Sequence, residues 1–183
     1  MDTITPLHDR LILQPSFSRM RGSIFVPEAF TDGAPTSCLV IAKGNDASEI
    51  INVNDIVLCQ VGLGSRHDHI DETKKFWCRQ EDIYAVLKGN KIYPIGRKIL
   101  IRRDVEDKYE GAIVIPGTRR YQSLLGTVER IGISRTPMRV AGIAVGMKIH
   151  LTEWMEHMIP VELEDGGHGL IVNDTDLLYK VEE

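Results

Sequence analysis

The chain carries one ordered series of short motifs twice, and no other feature constrains its fold as much. Pro6-Leu7-His8-Asp9-Arg10-Leu11-Ile12-Leu13 is echoed 88 positions later by Pro94-Ile95-Gly96-Arg97-Lys98-Ile99-Leu100-Ile101. Gly22-Ser23-Ile24-Phe25-Val26-Pro27 returns as Gly111-Ala112-Ile113-Val114-Ile115-Pro116, and Asp82-Ile83-Tyr84-Ala85-Val86-Leu87 as Asp176-Leu177-Leu178-Tyr179-Lys180-Val181. A period of this size is too long for a solenoid and matches a small domain. The expectation is two domains of one fold in tandem, over 1–88 and 91–183, with Lys88-Gly89-Asn90 as a short polar joint. A joint that brief couples the domains closely. A duplicated small domain offers two like binding surfaces rather than one catalytic cleft.

Composition narrows the function classes. The 183 residues are 43% hydrophobic and 26% charged, as in an ordinary globular protein. The net charge of −4, without a basic stripe, argues against nucleic acid as a partner. No stretch reaches transmembrane length and no secretory leader is visible, so no membrane role is expected. Cys38, Cys59 and Cys78 are odd in number and confined to the first half, which suits reduced, buried thiols in a cytoplasmic protein.

Short apolar, β-branched runs broken by Gly, Pro, Asn and Asp predict strands over 11–13, 39–42, 56–59, 76–78 and 83–87. Their partners in the second half are 99–101, 127–131, 148–151, 169–172 and 177–181. No long run has helical periodicity. The fold class is therefore all-β, as two small barrels, with hairpin turns at Asp71-Glu72-Thr73-Lys74 and Glu164-Asp165-Gly166-Gly167. Each half has one long interruption, over 17–37 and 104–125, flanked by Ser16, Ser18, Arg19 and Arg21 in one case and Arg119 and Arg120 in the other. Interruptions of that length are usually functional. Each holds an apolar triplet behind a glycine, chemistry that suits docking on a partner. An ordinary buried strand is the competing reading of the same triplets.

In order and spacing these residues resemble the chaperonin-10, or GroES-like co-chaperonin, family. The resemblance rests on Pro-Leu-His-Asp-Arg before an apolar strand, a Gly-x-Ile-x-Val loop, Val53-Asn54-Asp55-Ile56-Val57, and the closing Asp82-Ile83-Tyr84-Ala85-Val86. The second half keeps Gly111-Ala112-Ile113-Val114-Ile115, Val145-Gly146-Met147-Lys148-Ile149 and Asp176-Leu177-Leu178. The resemblance implies two tandem GroES-like β-barrels in a homo-oligomeric ring that caps a GroEL-type chaperonin (chaperonin-60) over an unfolded client. Such a chain is a chaperone in protein folding, not an enzyme. It carries no cofactor, since ATP is used by the partner. Its location would be the cytoplasm, that of the host if a phage encodes it. In that family the triplet of a mobile loop enters a groove on the chaperonin. Carried over, the contacts are Ile24, Phe25 and Val26 behind Gly22, and Ile113, Val114 and Ile115 behind Gly111.

Departures from the family pattern matter. The roof hairpin corresponds to 44–53 and 132–145, and the first is trimmed, which implies an open or differently closed dome. Phe25 is bulkier than Val114, so the two loops should not bind identically. Whole two-domain chains cannot make a ring with an odd number of domains. The rival reading is a structural or assembly protein, for example of a virion, that kept the barrel and lost the lid role. Zinc dehydrogenases contain a similar domain, but the nucleotide-binding half is not in this sequence. His67-Asp68-His69 with Asp71 lacks further paired ligands for a metal, and Gly62-Leu63-Gly64 lacks the third glycine of a dinucleotide loop. His168 reads as a turn residue, Cys59 and Cys78 as core rather than nucleophiles, Trp77 as buried, and Trp154 as a packing or interface residue.

Overall fold

The computed structural model describes residues 5–16, 20–21, 24–25, 35–60, 75–105, 109–110, 113–114, 122–133, 142–151 and 159–181. The chain divides into two compact units, 1–96 and 97–183. The first contains β1 (Arg10–Pro15), β2 (Met20–Arg21), β3 (Ile24–Phe25), β4 (Pro35–Lys43), β5 (Ile56–Gln60), β6 (Phe76–Arg79), β7 (Ile83–Lys88) and β8 (Lys91–Pro94). The second contains β9 (Lys98–Val105), β10 (Tyr109–Glu110), β11 (Ile113–Val114), β12 (Gln122–Ile131), β13 (Lys148–Leu151), β14 (Ile159–Glu162), β15 (His168–Asn173) and β16 (Leu177–Lys180). Among the described residues the helical elements are two 3-10 turns, at Gln80–Asp82 and Asp174–Asp176.

Each unit is built on a six-stranded antiparallel sheet, in the order β6-β1-β4-β5-β7-β8 for the first and β14-β15-β9-β12-β13-β16 for the second. The fold class is thus all-β with two like domains. Every predicted strand lies within an observed one except that over 177–181, whose last residue, Val181, falls just past β16. Six further strands, β2, β3, β8, β10, β11 and β14, were not foreseen. The polar joint Lys88-Gly89-Asn90 is the tight end of the β7–β8 hairpin, whose terminal pair is Lys88 with Lys91. The structural boundary between the units therefore follows Gly96, whereas the sequence repeat restarts before it.

Alternating side chains from every strand of the first sheet through β7 converge on one cluster: Leu11, Leu13, Cys38, Val40, Val57, Cys59, Phe76, Cys78, Ile83 and Val86, joined by Ile95. The second unit does the same with Ile99, Ile101, Val128, Ile149, Leu151, Leu170 and Val172. A period-two pattern with one face in the core is what half-buried strands require.

The likeness of the units extends to irregularities. Ile41 is the extra residue of a bulge opposite Ile12 and Leu13, and Glu129 is the extra residue at the same place opposite Leu100 and Ile101. Tyr84 and Leu178 are likewise the bulged residues of β7 and β16. Bulges re-aim strands and aid curling of a sheet. The repeated aspartate of the closing motif has a backbone task. Asp82 accepts from the Arg79 N–H (2.9 Å) and Asp176 from the Asn173 N–H (3.0 Å), capping equivalent 3-10 turns. Asn54 and Gly146, also equivalent, both have left-handed backbone, and their N–H groups donate to the Val40 and Val128 carbonyls.

Among the described glycines of the first unit, Gly44 allows the closest chain approach. A Cβ there would lie 2.1 Å from the His8 carbonyl oxygen, while its N–H donates to Arg10 O. Gly44→Ala should therefore cost about 3 kcal/mol, the upper part of the usual range for single substitutions. A urea midpoint indistinguishable from the parent would show that the turn yields freely.

Candidate functional site

The two long interruptions of the sequence contain the same small device. In the first, β2 pairs with β3 through Met20–Phe25 and Arg21–Ile24. In the second, β10 pairs with β11 through Tyr109–Val114 and Glu110–Ile113. Among the described residues each ladder is its own two-stranded sheet, hydrogen-bonded to neither six-stranded sheet. Gly22-Ser23 and Gly111-Ala112 connect the strands of each ladder. A glycine at the first of two linking residues is a hairpin signal. It was legible in the sequence, yet the expectation was a loop bearing a triplet. Ile24, Phe25, Ile113 and Val114 thus belong to ladders outside the main sheets. Gly22, Val26, Gly111 and Ile115 lie outside the described residues.

Paired strand ends define where each device leaves its domain. In the first unit β1 pairs with β4 as far as Pro15 and Cys38, and the Ser16 N–H donates to Ser37 O at 2.8 Å. In the second, Val105 of β9 pairs with Gln122 of β12. Both excursions therefore emerge from the ends of the same two strands of the shared topology. They differ in character: Arg21 stands opposite Ile24 in one ladder, and Glu110 opposite Ile113 in the other.

The counterpart of the trimmed roof hairpin is folded down in the first unit. Between β4 and β5 the chain makes turns, with Ala47 and Ile51 buried in the core. Lys43 Nζ donates to Ile51 O at 2.7 Å, and the Ser48 N–H donates to Gln80 Oε1. In the second unit, 134–141 lie outside the described residues.

The remaining candidate residues have structural explanations where they are described. Cys38, Cys59 and Cys78 are free and buried, as expected. The Cys59 S–H donates to Cys38 Sγ at 3.4 Å, and this bond together with burial pushes the Cys59 thiol far up. Burial does the same for Cys78. Thiols held protonated are poor nucleophiles. Trp77 is half-buried rather than buried. Its strand neighbours Phe76 and Cys78 enter the core, while the Arg10 guanidinium carbon lies 5.5 Å from its ring centroid. His168 is not a turn residue but the first residue of β15, opposite Glu162.

Arg102 bridges Glu129 and Asp165, and both carboxylates raise its pKa. The Gly167 N–H and Arg102 lower that of the exposed Asp165. This is a solvated ion-pair network at a hairpin turn. Among the described residues no cluster of three or more His, Cys, Asp or Glu side chains has a metal-binding arrangement, and no helix is long and apolar enough to cross a membrane. His67, Asp68, His69, Asp71, Gly62, Gly64 and Trp154, and the predicted turn at 71–74, lie outside the described residues.

Comparison with known proteins agrees with this arrangement. The chain is similar to the Co-chaperonin GroES of Tolumonas auensis, 33% identical over 98 residues, which covers 51% of this chain and 99% of that protein. The Co-chaperonin GroES of Aeromonas hydrophila matches at 33% over the same length, and that of Treponema denticola at 31% over 93 residues, or 50% of this chain and 99% of that protein. One such protein thus corresponds to about half of the chain. The model of the chaperonin 10 Kd subunit family matches twice, over residues 3–87 and 91–181. With matches over nearly all of both repeats, the chain belongs to the chaperonin 10 Kd subunit family as a tandem, two-domain member.

Proposed function

We propose that this protein is a cytoplasmic co-chaperonin that caps a GroEL-type chaperonin and helps enclose an unfolded client. The partner hydrolyses ATP, and this chain performs no catalysis and binds no cofactor. The observation that carries the reading is the pair of small apolar ladders, one per domain, set outside both main sheets at equivalent places. Gly22, Ile24, Phe25 and Val26, and Gly111, Ile113, Val114 and Ile115, are the contact residues in this reading.

The energetics favour a many-armed lid. Burying one large apolar side chain is worth roughly 1.5–3 kcal/mol, so a triplet gains about 5–8 kcal/mol gross. Ordering each backbone residue costs roughly 1–2 kcal/mol. A hairpin that already pairs part of the segment reduces that cost, although a ladder this short is marginal alone. One arm therefore binds weakly, and several on one assembly bind well through effective concentration. Weak individual contacts also let a change of partner shape release the lid.

The test is to mix the protein with a GroEL-type chaperonin and a denatured client, with and without ATP. Nucleotide-dependent co-sedimentation and higher recovery of client activity are expected. Absence of both, with the protein folded and assembled, would refute the capping role.

A further inference from the structure

All three cysteines of the chain lie in the core of the first unit, each at most 1% exposed. Cys38 on β4 and Cys59 on β5 are diagonal neighbours on adjacent strands: Cys38 stands opposite Val57, and Cys59 opposite Thr36. Their sulfurs are 3.4 Å apart. A disulfide needs about 2.0 Å between sulfurs, so the gap to close is about 1.4 Å, shared between two side chains. Cys78 is on β6, which the sheet order separates from β4 by β1.

The fold does not require sulfur at these two places. In the second unit the counterpart of Cys38 is Gly126, opposite Ile149 and Arg103 as Cys38 is opposite Val57 and Pro15. The counterpart of Cys59 is Leu151, opposite Leu177 as Cys59 is opposite Ile83. A Cβ at Gly126 would stand 2.5 Å from Ile101 Cγ2 and 2.8 Å from the Arg102 carbonyl oxygen, so the second unit has no room for the same pair. The thiols also sit at a strand end. Cys38 adjoins Ser37, whose carbonyl accepts the Ser16 N–H where the excursion bearing β2 and β3 leaves the domain. Thr36–Cys59 and Pro35–Gln60 are the last pairs of β4 with β5. Strand ends open more readily than strand centres, and a covalent tie here would pin this one.

We propose that Cys38 and Cys59 form a reversible redox latch, closed by exchange with a small-molecule disulfide, which fixes the root of the first arm and has no counterpart at the second. The Cys38 thiolate attacks one sulfur of the small disulfide, whose S–S bond breaks and releases one small thiolate. Cys59, as thiolate, then attacks the Cys38 sulfur of the mixed disulfide and expels the second. Two protein thiols are oxidised, the small disulfide is reduced to two thiols, and these take up the two protons. The bond to Cys38 and burial hold Cys59 protonated in the closed sheet, so exchange runs through opening of the β4–β5 end and is slow. Such a pair rests as thiols in a reducing compartment and responds to sustained oxidation. The latch does not depend on what the arm binds.

The test incubates the full chain in glutathione buffers from fully reduced to fully oxidised, approached from both directions, followed by acid quench, alkylation in denaturant and peptide mapping. All three cysteines should be alkylated from the reduced buffer and Cys78 alone from the oxidised one, with Cys38 and Cys59 joined within one chain. Amide exchange at 36–39 and 57–59 should then slow by at least about 10-fold, while exchange at the matching 124–127 and 149–151 stays unchanged. Cys78→Ala should latch as the parent does, and Cys38→Ala should keep both remaining thiols. Three thiols after prolonged oxidation, a stable glutathione adduct, a link that uses Cys78 or joins two chains, or unchanged amide exchange in the linked form would each overturn the proposal.

Discussion

Asp174→Ala is expected to lower the stability of the second unit by about 3–5 kcal/mol, the usual cost of removing one partner from a buried ion pair. Asp174 is 1% exposed and receives both Arg97 Nε and Nη2 at 2.9–3.0 Å. Its N–H donates to Arg97 O, so side chain and backbone tie the start of β9 to the 3-10 turn before β16. Without the carboxylate, a guanidinium three-quarters buried loses its counter-charge. For a unit of this size 3 kcal/mol is a fall in melting temperature of more than about 12 °C.

The first unit shows that the fold itself does not require the charges. There Gln80 occupies the matching position, its N–H donating to Asp9 O and its amide oxygen accepting from Ser48. The double variant Arg97→Met with Asp174→Leu should accordingly lie within about 1.5 kcal/mol of the parent, since a well-packed apolar pair often equals a buried salt bridge. Calorimetry on the single and double variants decides the matter. A loss below about 1 kcal/mol for Asp174→Ala would mean that water reaches the site and the pair is in effect solvated.

Much of this architecture was readable because it is written twice. The closing Asp82 and Asp176 were visible as a repeated letter before their capping task was known, and the continuous apolar runs that became β1, β7 and β9 read as short buried strands, with Leu11–Leu13, Ile83–Val86 and Ile99–Ile101 all buried. What stayed hidden depended on pairing at a distance. Lys91-Ile92-Tyr93-Pro94 begins a repeat by sequence and joins the preceding sheet by hydrogen bonding, a choice no local propensity encodes. β14 is Ile-Pro-Val-Glu, and a proline inside a short run demotes it as a strand unless it sits at an edge, which is where it sits. In the long interruptions, Ile24, Phe25, Ile113 and Val114 were read as outlying apolar residues, and they fall in ladders separate from the two six-stranded sheets. The hairpin inside them was missed because Met20-Arg21 and Tyr109-Glu110 do not read as strands until a partner is found.

Phe25→Asp together with Ile113→Asp should abolish capping, weakening association with a chaperonin by at least about 100-fold, the lower bound of what multivalency contributes. The substitutions fall in ladders detached from both main sheets, so melting temperature and assembly mass should not change. The two single variants carry the finer information. If every arm contributes a similar small free energy, removing one class halves a sum that appears in the exponent of the affinity, and each single variant should already bind far more weakly than a simple halving of sites suggests. Phe25 offers more apolar area than Ile113, so Phe25→Asp should be the more damaging. Equal loss from both would indicate that the ladders bind alike despite Arg21 and Glu110 standing at matching positions. Full retention of binding in the double variant would remove both ladders from the mechanism.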